Sequence, residues 1–240
     1  MNFEPEAYSL RWYRQMVGIS SIGDTTVVTN KWMLGTRNSF FIGIVATLLA
    51  TALGTVAALG LSRPHMPFKP VLMAILISPM IVPLIITAAG MFFFYSKIGL
   101  THTYLGLILA HTALGTPFVV ITVTATLTGF DTNLIRASQS LGADTMRTFF
   151  KVIMPLILPG VISGGLFAFI TSFDEVVVVM FVGSVEQITI PKQMWAGLRQ
   201  ETSPVILCMA TCLVALSIAL LTTVEMLRRR SERLRGIKQR

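Results

Sequence analysis

Asp174 and Glu175 stand side by side in an otherwise apolar stretch, and their side chains are the ones in this sequence best suited to bind a cation. Phe173 precedes them and four valines follow, Val176–Val179. Acids inside a membrane are costly and usually face a cavity or a partner. The pair would attract an amine through charge and hydrogen bonds. The alternative is a structural break, in which the acids pair with polar groups of a neighbouring helix.

The sequence lacks the motifs that would let it carry out such chemistry alone. It has no G-x-x-x-x-G-K-[ST] phosphate loop, no HExxH, no GxSxG and no metal-spaced Cys/His cluster. We therefore predict neither an enzyme nor a chain with its own cofactor or metal. Cys208 and Cys212 are expected to be packing residues. His111 lies in an apolar segment without an acid at helical spacing, which favours packing or hydrogen bonding over proton transfer.

A polar, amphipathic run at residues 131–160 separates two long apolar segments and can contact a soluble partner at a membrane surface. Asp131 or Thr132 can cap a helix that begins near Asn133, because their side-chain oxygens accept hydrogen bonds from the first amides of a helix. The apolar residues of this helix share one face at spacings of three and four. They are Leu134, Ala137 and Leu141.

Gly142 is expected to end this first helix, because glycine adopts the left-handed conformation without strain. Asp144 can then cap a second helix, which leads into the next apolar segment. The apolar residues of that second helix are Phe149, Phe150 and Ile153. The residues thus predict a helix, a glycine turn and a second helix, a pattern that an ordinary connector can also have.

The composition predicts that the remaining elements lie in a membrane. Of the 240 residues, 53% are hydrophobic and 12% are charged, about half the charge of a soluble domain. Apolar runs of roughly 18 residues or more recur, which predicts helices that cross a bilayer, and they alternate too weakly for barrel strands. We predict an all-α, polytopic helical membrane protein.

Five segments are predicted to span the membrane. They cover residues 38–61, 70–94, 105–127, 152–173 and 204–227, and residues 176–182 extend the fourth. Three prolines lie inside the second and third spans: Pro79, Pro83 and Pro117. The first span carries small residues at every fourth position, a stripe that lets another helix approach closely. These are Ala46, Ala50, Gly54 and Ala58.

The basic residues orient these spans, because cytoplasmic loops are rich in Lys and Arg. With residues 62–69, the polar run and the C-terminus inside, 12 of the 19 Lys and Arg residues lie in the cytoplasm. Residues 228–240 hold seven of them and are expected to form a basic cytoplasmic tail on anionic headgroups, with a nucleic-acid-binding tail as the alternative. The loops left outside are residues 1–37, 95–104 and 183–203.

The N-terminal 37 residues are expected to be an external segment with an interfacial element at Tyr8–Val17, where Trp12 and Tyr13 lie at headgroup level. Their basic residues resist translocation, and neither an upstream span nor a signal peptide precedes them. We therefore expect a first transmembrane helix to be missing from the sequence.

The polar run resembles the EAA loop in the permease subunits of binding-protein-dependent ABC importers. That pattern reads Glu-Ala-Ala, three residues, Gly, nine residues, Ile, any residue, Leu-Pro. Ala137, Gly142 and Pro155 match it at the expected spacing. Four positions depart from it: Arg136, Ser138, Val152 and Met154. The change at Arg136 reverses a charge.

Stretches along nearly the whole chain resemble the spermidine/putrescine-type permease subfamily. They are SLRWYR (9–14), NSFFIGIVATLLATALGTVAALGLSR (38–63), ISPMIVPLII (77–86), AHTALGTPFVV (110–120), FAFITSFDEVVVVMFVG (167–183) and TIPKQMWAGLRQETSP (189–204). The resemblance implies the type I ABC importer permease fold, which usually has six spans and a helix ahead of the SLRWY element.

The resemblance implies a multi-pass permease subunit in a bacterial inner membrane, with residues 38–227 as the transmembrane domain and residues 131–151 as a cytoplasmic coupling loop. It implies a second permease subunit, two ATPase subunits that carry ATP and Mg, a periplasmic substrate-binding protein and no nucleic acid. The helix before Gly142 would dock into a groove of an ATPase. The implied coupling residues are Arg136, Ala137, Ser138, Leu141, Gly142, Ala143 and Asp144.

The expected substrate is spermidine, putrescine or a related amine, moved by alternating access past Asp174 and Glu175. Trp195 joins these candidates because the segment Pro191–Glu201 is predicted as an amphipathic external helix that dips towards the pore or contacts the binding protein. Trp195 as an interfacial anchor is the alternative. Opines, amino-acid derivatives and other solutes stay open as substrates. A secondary carrier is disfavoured because the sequence shows no inverted repeats, and a membrane-embedded enzyme because only the acidic pair resembles paired catalytic groups.

Overall fold

The computed structural model describes residues 10–17, 31–63, 65–128, 131, 133–200 and 204–234. Within these ranges the ordered elements are helices, and no strand occurs among them. They are α1 (Arg11–Met16), α2 (Lys31–Leu61), α3 (Lys69–Ile81), α4 (Leu84–Lys97), α5 (Tyr104–Thr128), α6 (Asn133–Ser140), α7 (Thr145–Thr148), α8 (Met154–Phe173), α9 (Val177–Val182), α10 (Ile190–Gln200) and α11 (Val205–Leu234). A π-helical turn, Phe149–Ile153, joins α7 to α8. The all-α class is confirmed.

The chain forms two compact units. The larger unit, residues 36–192, holds α3 to α9 and most of α2. The smaller unit, residues 1–35 and 193–240, holds α1, α11 and most of α10.

The helix pair α5–α8 makes the most extensive contact of the larger unit. Glycine permits this contact at two positions of α8, because a β-carbon at Gly160 or Gly164 would collide with a threonine hydroxyl of α5. A β-carbon at Gly164 would also lie 2.8 Å from the Cα atom of Val119. The two backbones are therefore as close as side chains allow.

The small-residue stripe predicted in α2 is buried against this pair. Ala46, Ala50 and Ala58 are each no more than 1% exposed. A β-carbon at Gly54 would lie 2.7 Å from Cβ of Val119 in α5. The stripe thus brings α2 close to α5, as its spacing predicts.

The second predicted span is broken rather than continuous. Helices α3 and α4 meet at an angle of 103°. Val82 is extended, with φ −70° and ψ 135°, because the ring of Pro83 disfavours helical geometry in the residue before it. Pro79, by contrast, lies inside α3. The second predicted span, residues 70–94, is therefore a bent pair of helices that together are long and apolar enough for one span.

Three helical stretches of the described residues are long and apolar enough to cross a membrane: Lys31–Leu61, Tyr104–Thr128 and Thr145–Phe173. The bent pair α3–α4 passes the same test as one unit, and the apolar part of α11 covers Val205–Ala219. These five stretches follow the order of the five predicted spans. The first begins seven residues before the predicted start at 38, because the helix continues beyond its apolar run.

In the smaller unit, α1 packs along α11, and the hydroxyl groups of Tyr13 and Thr211 lie 2.8 Å apart. Helix α1 covers part of the predicted interfacial element, whose Tyr8 lies outside the described residues. Cys208 is buried and Cys212 exposed, and both are free thiols. Helix α11 continues to Leu234, and the rest of the basic tail lies outside the described residues.

Candidate functional site

The loop between α5 and α8 begins with a capped helix, as the sequence predicts. The amide of Asn133 donates to Oδ1 of Asp131 at 2.9 Å, so Asp131 satisfies one of the free amides at the start of α6. Thr132, the other predicted cap, lies outside the described residues. The side chain of Asp131 thus helps to set the start of α6.

Gly142 ends α6 in a Schellman turn. Its φ is +81°, in the left-handed region. The amide of Ala143 donates to the carbonyl of Ser138 at 3.1 Å, and the amide of Gly142 donates to the carbonyl of Gln139 at 2.9 Å. Because two bonds of this kind define the motif, the turn has a fixed geometry rather than a loose one.

Asp144 caps α7 directly after this turn. Its Oδ1 accepts a hydrogen bond of 2.6 Å from the amide of Arg147. The four residues of α7 run into the π-helical turn Phe149–Ile153, in which the amide of Met154 reaches back five residues to the carbonyl of Phe149. The cap was predicted, whereas the wider turn has no sequence signature.

Apolar side chains of this loop are exposed although the loop is polar. Leu141 is 88% exposed, Met146 68% and Leu134 43%. Arg136, Ala137, Arg147 and Lys151 are exposed as well. Clustered exposed apolar residues mark docking surfaces. We call the exposed side chains of Leu134, Leu141 and Met146 the docking face.

One side-chain contact crosses the loop from α6 to α7. The hydroxyl oxygens of Ser138 and Thr148 lie 2.9 Å apart. Thr148 is 2% exposed, so this bond is made on the inner side of the loop, opposite solvent. The role of Thr148 was not predicted, because nothing in the local sequence pattern links it to a residue ten positions earlier.

The structure separates the roles of the two adjacent acids. Glu175 is 7% exposed, and its Oε1 accepts a hydrogen bond of 2.9 Å from the amide of Val178, the second residue of α9. Asp174 follows the last turn of α8, and its side chain is exposed. Glu175 thus bonds the start of α9 across the break between the two helices, whereas the side chain of Asp174 is exposed.

Lys192 holds the other end of α9. Its Nζ donates to the carbonyls of Val179 at 3.2 Å, Gly183 at 3.4 Å and Ser184 at 3.2 Å. A cation at this end of a helix is favourable because the last carbonyls carry partial negative charge. Burial lowers the pKa of Lys192 from its ordinary value. The sequence offered no signal for this contact, which depends on how the chain turns after α9.

Asn38 ties the connection between α9 and α10 to the start of the first long helix. Its Nδ2 donates to the carbonyls of Glu186 at 2.8 Å and Ile188 at 2.9 Å. The hydroxyl of Tyr104 donates to Oδ1 of Asn38 at 3.1 Å. Because Asn38 is 1% exposed, its side-chain amide makes its hydrogen bonds within the protein, and these bonds stabilise the connection.

His111 makes the hydrogen bond that the sequence favours over proton transfer. Its Nδ1 lies 2.7 Å from Oγ of Ser172, and the residue is 1% exposed. Trp195, in the smaller unit, is 45% exposed and carries the guanidinium of Arg199 at 5.8 Å from its ring centroid. Across the described residues, no group of three or more His, Cys, Asp or Glu side chains could hold a metal ion.

This helical membrane fold, with its exposed loop ahead of a long helix, defines a transport permease. The chain belongs to the family of binding-protein-dependent transport system inner membrane components, whose pattern matches residues 50–233. It is therefore a transmembrane permease subunit of an ABC importer, and it works with partner subunits.

Curated relatives extend this likeness over most of the chain. The chain is 28% identical over 226 residues to the spermidine/putrescine transport system permease protein PotC of Haemophilus influenzae, covering 94% of this chain and 84% of that protein. Its identity to PotC of Escherichia coli K12 is 26%, with 93% and 81% covered. The chain is also 26% identical to the putrescine transport system permease protein PotI of the same strain, covering 86% of this chain and 73% of that protein.

Solved ABC transporters share the fold. A chain of the MetNI methionine ABC transporter in an inward-facing conformation matches with a TM-score of 0.64 and 22% identity, over 85% of this chain and 95% of that one. A chain of a bacterial ABC transporter involved in importing the acidic polysaccharide alginate matches with a TM-score of 0.65 and 15% identity, over 89% and 78%. The predicted fold is thereby confirmed.

Proposed function

We propose that this permease imports spermidine, putrescine or a related amine. The observation that carries the proposal is its likeness to two named polyamine permeases over 86–94% of its length. The exposed carboxylate of Asp174 beside a long apolar helix agrees with a cationic substrate, because it would attract an ammonium group. The importer moves its substrate by alternating access.

The proposed assembly contains a second permease subunit, two ATPase subunits that bind ATP and Mg, and a periplasmic substrate-binding protein. The proposed location is a bacterial inner membrane. Residues 1–37 lie outside, residues 38–227 form the transmembrane domain, and residues 228–240 form a cytoplasmic tail. The support for this orientation is the concentration of basic residues in the segments placed inside.

The coupling site in this proposal is the loop that contains Arg136 to Asp144. Its docking face enters a groove of an ATPase subunit, and ATP-driven closure of the ATPases moves α6. The support is the exposure of Leu134, Leu141 and Met146 on either side of a turn whose geometry the Schellman bonds and the Asp144 cap fix. Because Arg136 stands where the family pattern has Glu, we expect an acidic residue on the partner groove opposite it.

Asp174 is the proposed cation-binding group of the substrate path. Glu175, the second acid of the predicted pair, supports the site indirectly through its bond to α9. Trp195 is proposed to meet substrate or the binding protein on the outer side, where its exposed ring and nearby Arg199 offer an amphipathic surface. The three residues are therefore proposed to have different tasks.

Uptake of labelled spermidine and putrescine by the complete importer in proteoliposomes tests the proposal. Asp174→Asn should lower uptake about tenfold or more, because a charge-assisted hydrogen bond is lost, while the subunits still co-purify. Glu186→Gln is the matched control, since Glu186 is an exposed acid of the α9–α10 connection.

Two outcomes would count against this function. Unchanged polyamine uptake in the Asp174→Asn, Glu175→Gln double variant would remove the acids from the substrate path. A wild-type importer whose ATPase activity responds to an opine or an amino-acid derivative, and not to either polyamine, would replace the substrate.

A further inference from the structure

We propose that the Ser138–Thr148 hydrogen bond is a positioning contact that makes the coupling loop move as one body with α8. The inference rests on the proposed docking of α6 to an ATPase, and it assigns a role to Thr148, which is one of the nine unspecified residues of the EAA-like pattern. Neither hydroxyl contacts the ATPase in this proposal. Both act through the helices that they join.

The position of the bond supports this role. Ser138 lies in the last turn of α6, and its side chain is half-buried. Thr148 is the last residue of α7 and is almost fully buried. Their hydroxyl groups meet at 2.9 Å on the inner side of the loop, whereas the docking face is on the exposed side. The loop thus has one surface free for a partner and one contact directed inwards.

A second attachment changes what α6 can transmit. The backbone joins α6 to α7 through the turn at Gly142, and an element held at one point can pivot there. The Ser138–Thr148 bond adds a second point of attachment on the far side of the turn. Because two separate attachments oppose rotation about either one, a displacement of α6 must move α7 as well.

Helix α7 passes that displacement directly to α8. Thr148 is followed without a break by the π-helical turn and then by α8, which ends at Phe173. At about 1.5 Å per residue, the stretch from Thr148 to Phe173 is about 39 Å long, which exceeds the thickness of the hydrocarbon core. Asp174 follows its last residue. One continuous helical rod therefore links the hydroxyl contact with the proposed cation-binding acid.

The test measures coupling and docking separately in the complete importer, with spermidine as the probe. Ser138→Ala and Thr148→Val each remove one hydroxyl. We expect the ATPase to co-purify as in the wild type, while the spermidine moved per ATP hydrolysed falls about fivefold, the factor that one neutral hydrogen bond represents. The double variant should fall no further than either single variant, because both remove the same bond.

Two control variants make the result specific. Thr148→Ser keeps the hydroxyl and should retain the wild-type ratio of transport to hydrolysis. Thr145→Val removes an exposed hydroxyl from the same helix and should also leave the ratio unchanged. If Thr148→Val fails to fold, Ser138→Ala at the more exposed end of the bond decides the question.

The proposal is overturned if Ser138→Ala and Thr148→Val couple as the wild type does, if Thr145→Val lowers the ratio equally, or if the hydroxyl variants lose the ATPase altogether. Leu141→Asp separates this failure from failure of the docking proposal. If Leu141→Asp releases the ATPase while the hydroxyl variants stay fully coupled, docking stands and the positioning role falls. If Leu141→Asp keeps the ATPase, the docking proposal itself falls.

Discussion

The α5–α8 pair and the coupling loop differ in where their side chains find partners. Along α5 and α8 the contacts are internal: Val119 and Val123 are fully buried, and Gly164 leaves no space for a β-carbon. In the loop, several large apolar side chains are exposed, with Leu141 at 88%. The first region is packed within this chain, whereas the second is the one that we propose docks on another subunit. Substitutions in the two regions should therefore fail in different ways.

The largest effect is expected from Gly164→Val, which breaks the packed region. Its β-carbon would collide with Thr122 and lie 2.8 Å from the Cα atom of Val119, so the helices must separate. Overpacking of this kind costs about 3 kcal/mol. Thermal unfolding of the purified permease in detergent measures the loss.

Gly90→Val is the control for this substitution. No atom lies within 4 Å of a β-carbon at Gly90 in α4, so the same change should cost less than about 1 kcal/mol. Equal stability of the two variants would show that α5 and α8 are not as closely packed as their glycines indicate.

Leu141→Asp should leave the fold intact and release the ATPase. Removing a central apolar anchor and burying a charge in its place costs at least about 2 kcal/mol, or roughly 30-fold in affinity. Co-purification of the ATPase with the permease measures this, and the melting temperature should not change. Val185→Asp, which places the same charge at a site that is 79% exposed in the wild type, is the control. A lowered melting temperature without loss of the ATPase would make Leu141 a stability residue.

Arg136→Glu should have the smallest effect of these substitutions, a modest weakening of association with the ATPase without loss of stability. An exposed ion pair contributes about 0.2–1 kcal/mol, so association with the ATPase should weaken about 1.4- to fivefold. Salt screens exposed charges, and the difference from the wild type should shrink between roughly 0.05 and 1 M NaCl. Arg63→Glu changes another exposed cation and should bind normally. Wild-type affinity of Arg136→Glu at low salt would argue against an acidic residue in the groove.

The features that the sequence predicted correctly depend on neighbours close in the chain. A cap such as Asp144 bonds an amide three residues away, and Gly142 acts through its own backbone. The long apolar helices follow from composition, and the stripe in α2 follows from its spacing. Such features can be predicted because their partners lie within one or two helical turns.

The features that the sequence could not predict are of two kinds. Some join residues that are distant in the chain, and others arise where a single residue overrides the periodic pattern around it. Asn38 bonds carbonyls about 150 positions later, and the contacts of Lys192 depend on the path of the chain after α9. Pro83 competes with the apolar pattern that favours a continuous helix, and the helix breaks there because the ring of Pro83 disfavours helical geometry in Val82. In each case tertiary geometry or a single residue overrides the periodic pattern.

The proposed orientation also constrains the bent pair α3–α4. The basic loop at residues 62–69 and the coupling loop share the proposed cytoplasmic side only if the chain between them crosses the membrane an even number of times. If helix α5 makes one crossing, α3 and α4 together must make the other. Each arm has 13 or 14 residues, about 20 Å, so neither arm is long enough to cross the hydrocarbon core alone.

That corner leaves a polar gap between two apolar helices. Pro83 has no amide hydrogen, so the carbonyl of Pro79 loses its helical donor, and Val82 is 39% exposed beside it. Hydrocarbon does not tolerate such backbone unless protein covers it or water reaches it. Wherever this corner lies within the bilayer, neighbouring protein or water must therefore cover its main-chain oxygen.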